Sequence, residues 1–528
     1  MNEATHSEIP AMKETPTIAV QTVGMTTKVV RGSLWTFGGQ GVVLIASLIA
    51  TPFTIRLLGP EAYGLLALVN VLLGYLAFAD LGMGLASTQL GSEAHALGDN
   101  LREATITWTA LFAGLISSTA VAVALLISSK FLVEQVLRLP AHLHDIATVG
   151  LRLLALAFVA RSASGVLNTP QLVRLRMDLN TVINSGANTL QIILVPIVFF
   201  LQGGLTGVIA AIAAIAVVAA LINFAVSIRL QPLLLTTRID LSLIRPLVRL
   251  GSTVIAGYLS GLLVANSEKL ILPRLTSVTT LAHYSVAFTL ASLLLPVPIA
   301  LGGSLIPAFS RLKVSTDEAP LRQLYATALR GSLFWVVPAA FVICVAARPF
   351  ITVWAGSEYG RESTLPSYIL VVGMVFSVMA YVPSSYLLAL RKAHLIAACS
   401  LVELVPYVLC AVVLIRRFGA AGAAVAWSIR VIIDAVLLFG LAKRMSRLTF
   451  SPLPKNRLSY ASAVIAVLAG FTAISLNKLS GVTTVIVAVM SLIMYGGLLW
   501  MRVLTREERA WLSQALRSPL NFIFGSSH

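Results

Sequence analysis

The sequence has 528 residues, 58% of them hydrophobic and 11% charged, with a mean hydropathy of +0.91 and a formal net charge of +17. Soluble domains carry about 25% charged residues, so this composition excludes a string of soluble domains. The positive charge does not call for nucleic acid, because Lys and Arg gather in cytoplasmic loops and fix the orientation of membrane helices.

A polar N-terminal tail, residues 1–32, precedes an apolar run too long for a cleaved leader. A membrane helix needs roughly 20 apolar residues. Runs of that kind predict spans at Ser33–Ile55, Gly64–Thr88, Thr105–Ser128, Ile146–Asn168, Leu179–Leu201 and Leu205–Ile228. A basic linker, 229–251, leads to Ser252–Pro273, Leu281–Phe309, Gly331–Trp354, Pro366–Leu390, Ala393–Ile415 and Ala420–Leu441. Residues 442–501 hold a basic loop and two further spans, Leu458–Leu476 and Gly481–Met501, before a cytoplasmic tail at 502–528. Within that tail, Arg506–Arg517 reads as a short interfacial amphipathic helix. With the N-terminus in the cytoplasm, 25 Lys and Arg fall inside, 8 outside and 5 within spans. A missed or invented span would invert every later loop and erase that bias. The expectation is an all-α polytopic membrane protein with about 14 transmembrane helices and both termini cytoplasmic.

Cys344, Cys399 and Cys410 lie in apolar runs and read as small buried hydrophobes. His142 and His144 sit in the longest outer loop without a third ligand, so no metal site is expected.

Four landmarks recur at separations of 215 to 221 residues. They are Val30–Ser33 with Val248–Ser252, Gly59–Gly64 with Leu281–Ser285, Leu175-Arg176 with Leu390-Arg391, and Gly203–Gly207 with Gly419–Gly422. Six spans per copy is an even number, so the repeats run parallel and predict two six-helix lobes, 33–228 and 252–441, around a central cavity. Gly/Pro interruptions in corresponding spans mark hinge candidates: Gly82 and Gly84 in span two, and Pro296, Pro298, Gly302 and Gly303 in span eight. Close packing through small residues accounts for the same pattern.

Charges inside a membrane must face protein or water. Nine lie in the predicted spans: Asp80, Arg152, Arg161, Glu268, Lys269, Arg348, Glu403, Arg430 and Asp434. Arg430 and Asp434 are spaced to pair on one helix face, with Glu403 on the preceding span, so Asp80, Glu268, Glu403, Arg430 and Asp434 form a coupling or structural polar network. Arg348, near a span end, can snorkel. Arg152 and Arg161 have no acid in their own span and point to opposite sides of it, so only one faces a cavity, and spacing leaves open which. Together with Arg56 and Lys269 they are the candidates for an anionic substrate, guanidinium groups being suited to phosphate. No G-x-x-x-x-G-K-[ST], H-E-x-x-H or G-x-S-x-G occurs, so neither ATP hydrolysis nor the enzyme chemistry of those motifs is expected, and no cofactor is implied.

The segments Val30–Gln40, Arg56–Gly64 and Phe78–Gly84, with Asn266–Leu272, Tyr284–Ala287 and Leu305–Leu312 in the second half, resemble bacterial polysaccharide-unit flippases. These are the O-antigen and exopolysaccharide translocases of the multidrug/oligosaccharidyl-lipid/polysaccharide exporter superfamily. The resemblance implies a bacterial inner-membrane protein moving polyprenyl-pyrophosphate-linked oligosaccharide by alternating access. The polyprenyl tail would stay in lipid, and H⁺ or Na⁺ could be a coupling partner. It also implies an acidic-basic pair in span seven, which Glu268-Lys269 matches in type. A multidrug/cation antiporter and a peptidoglycan-precursor lipid flippase share the superfamily and stand as alternatives. A glycan polymerase or ligase would be expected to carry a substantial outer loop, which this chain lacks.

Overall fold

The computed structural model describes residues 16–76, 81–236, 238–296, 298–299, 305–306, 308–310, 319–445, 464–465, 467–472, 481–503 and 509. Asp80, Gly302 and Gly303 lie outside the described residues, as do nearly all of the interfacial-helix segment 506–517 and most of the predicted span 458–476.

The described elements are helical. In chain order they are α1 (Pro16–Leu76), α2 (Met83–Ala96), α3 (Asn100–Phe131), α4 (His144–Leu167), the short α5 (Thr169–Val173), α6 (Met177–Phe200) and α7 (Gly204–Leu230). There follow α8 (Ile244–Leu275), α9 (Val278–Ser292), α10 (Ala319–Ala355), the short α11 (Ser357–Glu362), α12 (Thr364–Ala389), α13 (Ala393–Met445) and α14 (Gly481–Leu498). Among the described residues nine helices are long and apolar enough to cross a membrane. Two of the nine hold a break that divides them. An unbroken α1 of 61 residues would run about 90 Å, three times the hydrocarbon thickness. It turns at Gly59 (φ 74°), and α13 turns at Gly419 (φ 55°), left-handed positions that glycine adopts without a Cβ clash.

Irregular backbone repeats at a common offset. Left-handed residues occur at Arg138 and Gly356, at Leu175 and Arg391, and at Gly204 and Gly419, pairs separated by 218, 216 and 215 residues. These separations resemble those of the sequence landmarks, although Gly59 has no left-handed counterpart at that offset among the described residues.

The expected span two is interrupted. α1 ends at Leu76, Leu81 (φ 57°) and Gly82 (φ 66°) are both left-handed, and α2 starts at Met83. A Cβ on Gly82 would stand 2.8 Å from the Gly251 carbonyl oxygen, so the same glycine serves both the turn and the close approach. Near the other candidate hinge α9 ends at Ser292, with three successive tight turns before Pro296, whose missing N–H cannot continue the helix. Pro296 is exposed and Pro298 buried.

The chain divides into two compact units. The first comprises 1–54, 76–128 and 149–255; the second comprises 55–75, 129–148 and 256–528. In the first, Met83, Ala86, Ile106, Ala110, Val166 and Leu247 form an apolar core. Beside it Arg174 grips the fully buried Glu103 (Nη1–Oε1 2.5 Å) and His95 Nδ1 lies 3.0 Å from its other oxygen. In the second unit Ile55, Ala282, Val286, Ala347 and Ile351 pack together, and Phe309, Tyr325 and Tyr386 form an edge-to-face cluster. In the basic linker Asp240 caps a turn: hydrogen bonds from the Ser242 hydroxyl and backbone N–H hold its carboxyl below the usual carboxylate range.

Removing one partner of a buried ion pair strands the other. Arg174→Met is expected to lower stability by about 3–5 kcal/mol, read as thermal unfolding in detergent, whereas Arg102→Ala at an exposed position stays within about 0.5 kcal/mol of wild type.

Candidate functional site

Helix α4 is apolar along most of its length, yet Arg161 emerges from it exposed. Its Nη2 donates to Gln191 Oε1 on α6 at 2.8 Å. The partner is neutral: among the described residues no carboxylate lies within 4.0 Å of this guanidinium. A cation kept at membrane depth without a counter-charge needs water or an anionic ligand. Two turns earlier on α6, Asn184 Nδ2 contacts Oδ1 of Asn168, the residue that follows α4, at 3.4 Å. Arg152, nine residues before Arg161, is also exposed. Arg56 belongs to the second unit, where its Nη2 donates to the Val353 carbonyl. Of the sequence candidates for anion binding, Arg161 stands with α6 in the first unit, while Arg56 and Lys269 belong to the second.

On its opposite flank α6 shares with α1 an apolar groove of about 810 Å³. Trp35, Gly39, Thr181, Ser185 and Leu190 are among the residues lining it.

The second unit holds a different arrangement. Glu268 on α8 is fully buried and takes two tyrosine hydrogen bonds, from Tyr284 Oη at 3.0 Å and Tyr407 Oη at 2.6 Å. Lys269 turns aside: its Nζ donates to Asn266 Oδ1 at 2.9 Å and lies 3.9 Å from the centre of the Phe288 ring. Phe288 meets Trp427 edge-on at 5.5 Å. Arg430 faces the rings of Trp427 and Tyr407, at 5.6 and 5.9 Å from their centres. The spacing of Arg430 and Asp434 suggests an ion pair, but none forms within 4.0 Å; aromatic faces take the guanidinium instead. Glu403, one turn before Tyr407, is buried, and neither carboxylate oxygen has a hydrogen-bond partner among the described residues. Glu268, Lys269, Glu403, Arg430 and the aromatic side chains between them thus occupy one polar-aromatic region of α8, α9 and α13.

Sequence reading by charge overlooks the neutral amides of α6. Asn180, Asn184, Asn188 and Gln191 lie on one face of an otherwise apolar helix, and their spacing of four, four and three residues was the available signal.

A profile of the family described as "Polysaccharide biosynthesis protein" matches residues 54–364, more than half of the chain. This chain belongs to that family. Its relatives include a Shigella flexneri protein described as "Putative O-antigen transporter". The two are 24% identical over 427 residues, covering 79% of this chain and 98% of the relative. A Haloferax volcanii protein described as a "Probable low-salt glycan biosynthesis flippase" is 25% identical over 158 residues, covering 29% and 32%. Among solved structures, the lipid II flippase in an inward closed conformation aligns with a TM-score of 0.66 at 14% identity, covering 89% of this chain and 99% of that one. An inward-facing multidrug resistance transporter of the MATE family, in the MOP superfamily, aligns at 0.62 and 16% identity, covering 76% and 94%. The fold of this multi-pass membrane protein, all-helical among the described residues, is similar to that of these solved transporters.

Tyr407→Phe and Tyr284→Phe each remove a hydrogen bond from the buried Glu268. Each is expected to cost about 1–3 kcal/mol. A double-mutant cycle in thermal or denaturant unfolding is expected to show coupling between them.

Proposed function

We propose that this protein translocates polyprenyl-pyrophosphate-linked oligosaccharide units across the bacterial inner membrane for surface polysaccharide synthesis. The observation that carries the reading is Arg161, a membrane-depth guanidinium whose hydrogen-bond partner among the described residues is a neutral amide. A pyrophosphate supplies the charge that the protein withholds, and a guanidinium binds two of its oxygens at once. Family membership and the O-antigen transporter relative support the same substrate class. The relatives are named as transporters and flippases, which supports transport rather than enzymatic turnover.

In this reading about 14 helices form two parallel six-helix lobes and a C-terminal pair, with both termini cytoplasmic, and alternating access carries the headgroup while the polyprenyl chain stays in lipid. Arg161 receives phosphate, and Arg152, Arg56 and Lys269 add positive potential along the route. Gly82, Gly84, Pro296 and Pro298 allow the helices to bend, with Gly302 and Gly303 as further hinge candidates. Glu403, Asp434 and Arg430, with Glu268 and Asp80, form the polar network through which a proton or sodium ion would act. A multidrug/cation antiporter would favour acids on the α4–α6 face, where Arg161 and amides stand instead.

A lost charge-assisted contact to phosphate corresponds to roughly a ten- to hundredfold loss of binding. In a flippase-deficient bacterium carrying this gene, Arg161→Ala is expected to reduce surface-polysaccharide export strongly at unchanged protein level, and Arg152→Ala less so. Normal export in both single variants and in the double variant removes the proposal.

A further inference from the structure

We infer that the amides of α6 form a sugar-reading strip, in which Asn184, Asn188 and Gln191 hydrogen-bond the hydroxyl groups of the carried glycan beside Arg161. This rests on the flippase reading above and deepens it by separating the group that holds phosphate from the groups that select sugar.

Geometry comes first. At 100° per residue, positions 180, 184, 188 and 191 span an arc of about 80°, and from Asn184 to Gln191 they run about 10 Å along the helix. That face turns toward α4, as the Asn184–Asn168 and Gln191–Arg161 contacts show. The other flank of α6 holds the apolar groove and the exposed Val182, Leu190 and Ile193, surfaces suited to lipid.

Solvation is the second argument. Asn188 is the twelfth residue of a 24-residue membrane helix, exposed, and without a hydrogen-bond partner among the described residues. Hydrocarbon strongly disfavours an unpaired amide at that depth. The face must therefore be wet or occupied by a polar ligand. Gln191 accepts from Arg161 through Oε1, and its Nε2 makes no hydrogen bond among the described residues.

Chemistry selects the ligand. A carboxamide offers an acceptor oxygen and two N–H donors, the combination that hydroxyl groups need because each both donates and accepts. The α4 sequence carries its one acid, Asp145, in its first turn, far from Arg161. The strip is neutral with a single cation at its side, which fits a polyhydroxylated chain attached to phosphate.

The test uses the full-length protein in lipid nanodiscs and two probes: polyprenyl pyrophosphate alone, and lipid-linked oligosaccharide extracted from the host. The wild type is expected to bind the glycosylated carrier about tenfold more tightly, the equivalent of one or two hydrogen bonds. Asn188→Leu, and the pair Asn184→Leu with Asn188→Leu, are expected to shrink that preference below about twofold while leaving affinity for the bare carrier unchanged. Asn188→Gln, which keeps the amide, restores it; Asn188→Ser, polar but shorter, retains part of it. Arg161→Ala weakens both probes alike. A tenfold preference that survives in the Leu variants overturns the sugar-reading strip, and so does a wild type that binds both probes equally, while the flippase reading stands in either case. Failure of the wild type to bind either probe overturns the flippase reading and the strip with it.

Discussion

Hydrocarbon offers no hydrogen bonds, and that single constraint governs what this chain does with its polar groups. Backbone amides are paired inside helices, and where a helix must turn back it does so at Gly59 or Gly419. Side chains obey the same rule by finding partners. Glu103 is held by Arg174 and His95, and Glu268 by two tyrosine hydroxyls. Among the groups that escape the rule are Arg161 with a neutral partner, and Asn188 and the Glu403 carboxylate with none among the described residues. Each exception marks a surface that needs water, an ion or a ligand.

The two compact units solve this problem with different chemistry. In the first, the exceptional groups are a guanidinium and neutral amides on α4 and α6, with hydroxyls on the far flank of α6. In the second they are carboxylates surrounded by tyrosine, phenylalanine and tryptophan, with Lys269 and Arg430 held over aromatic faces. Left-handed residues at Leu175 and Arg391, and at Gly204 and Gly419, stand at similar separations, yet the polar side chains of the two units differ.

Much of this was legible in the sequence. Long apolar runs gave the helices, and the Leu175-Arg176 and Leu390-Arg391 landmarks each contain a left-handed residue, which the sequence did not announce. Charged residues at membrane depth drew notice to Arg161, Glu268 and Glu403. The amides of α6 were missed because uncharged Asn and Gln scarcely disturb a hydropathy profile, although their spacing was plain. The Arg430–Asp434 spacing suggested an ion pair, since helix geometry constrains which residues share a face but not which neighbour wins. Trp427 lies three residues before Arg430 and Tyr407 comes from an earlier turn of the chain; together they present two ring faces to it.

The sequence by itself determined that this chain is helical and membrane-embedded, because hydropathy and periodicity are local quantities added along the chain. Tertiary structure alone decided that Arg161 meets Gln191 rather than an acid, that Glu268 is capped by Tyr284 and Tyr407, and that Gly82 lies against Gly251. Those pairings join residues 16 to 169 positions apart, and a charge inside a membrane takes its meaning from whichever neighbour the packing of helices brings within reach.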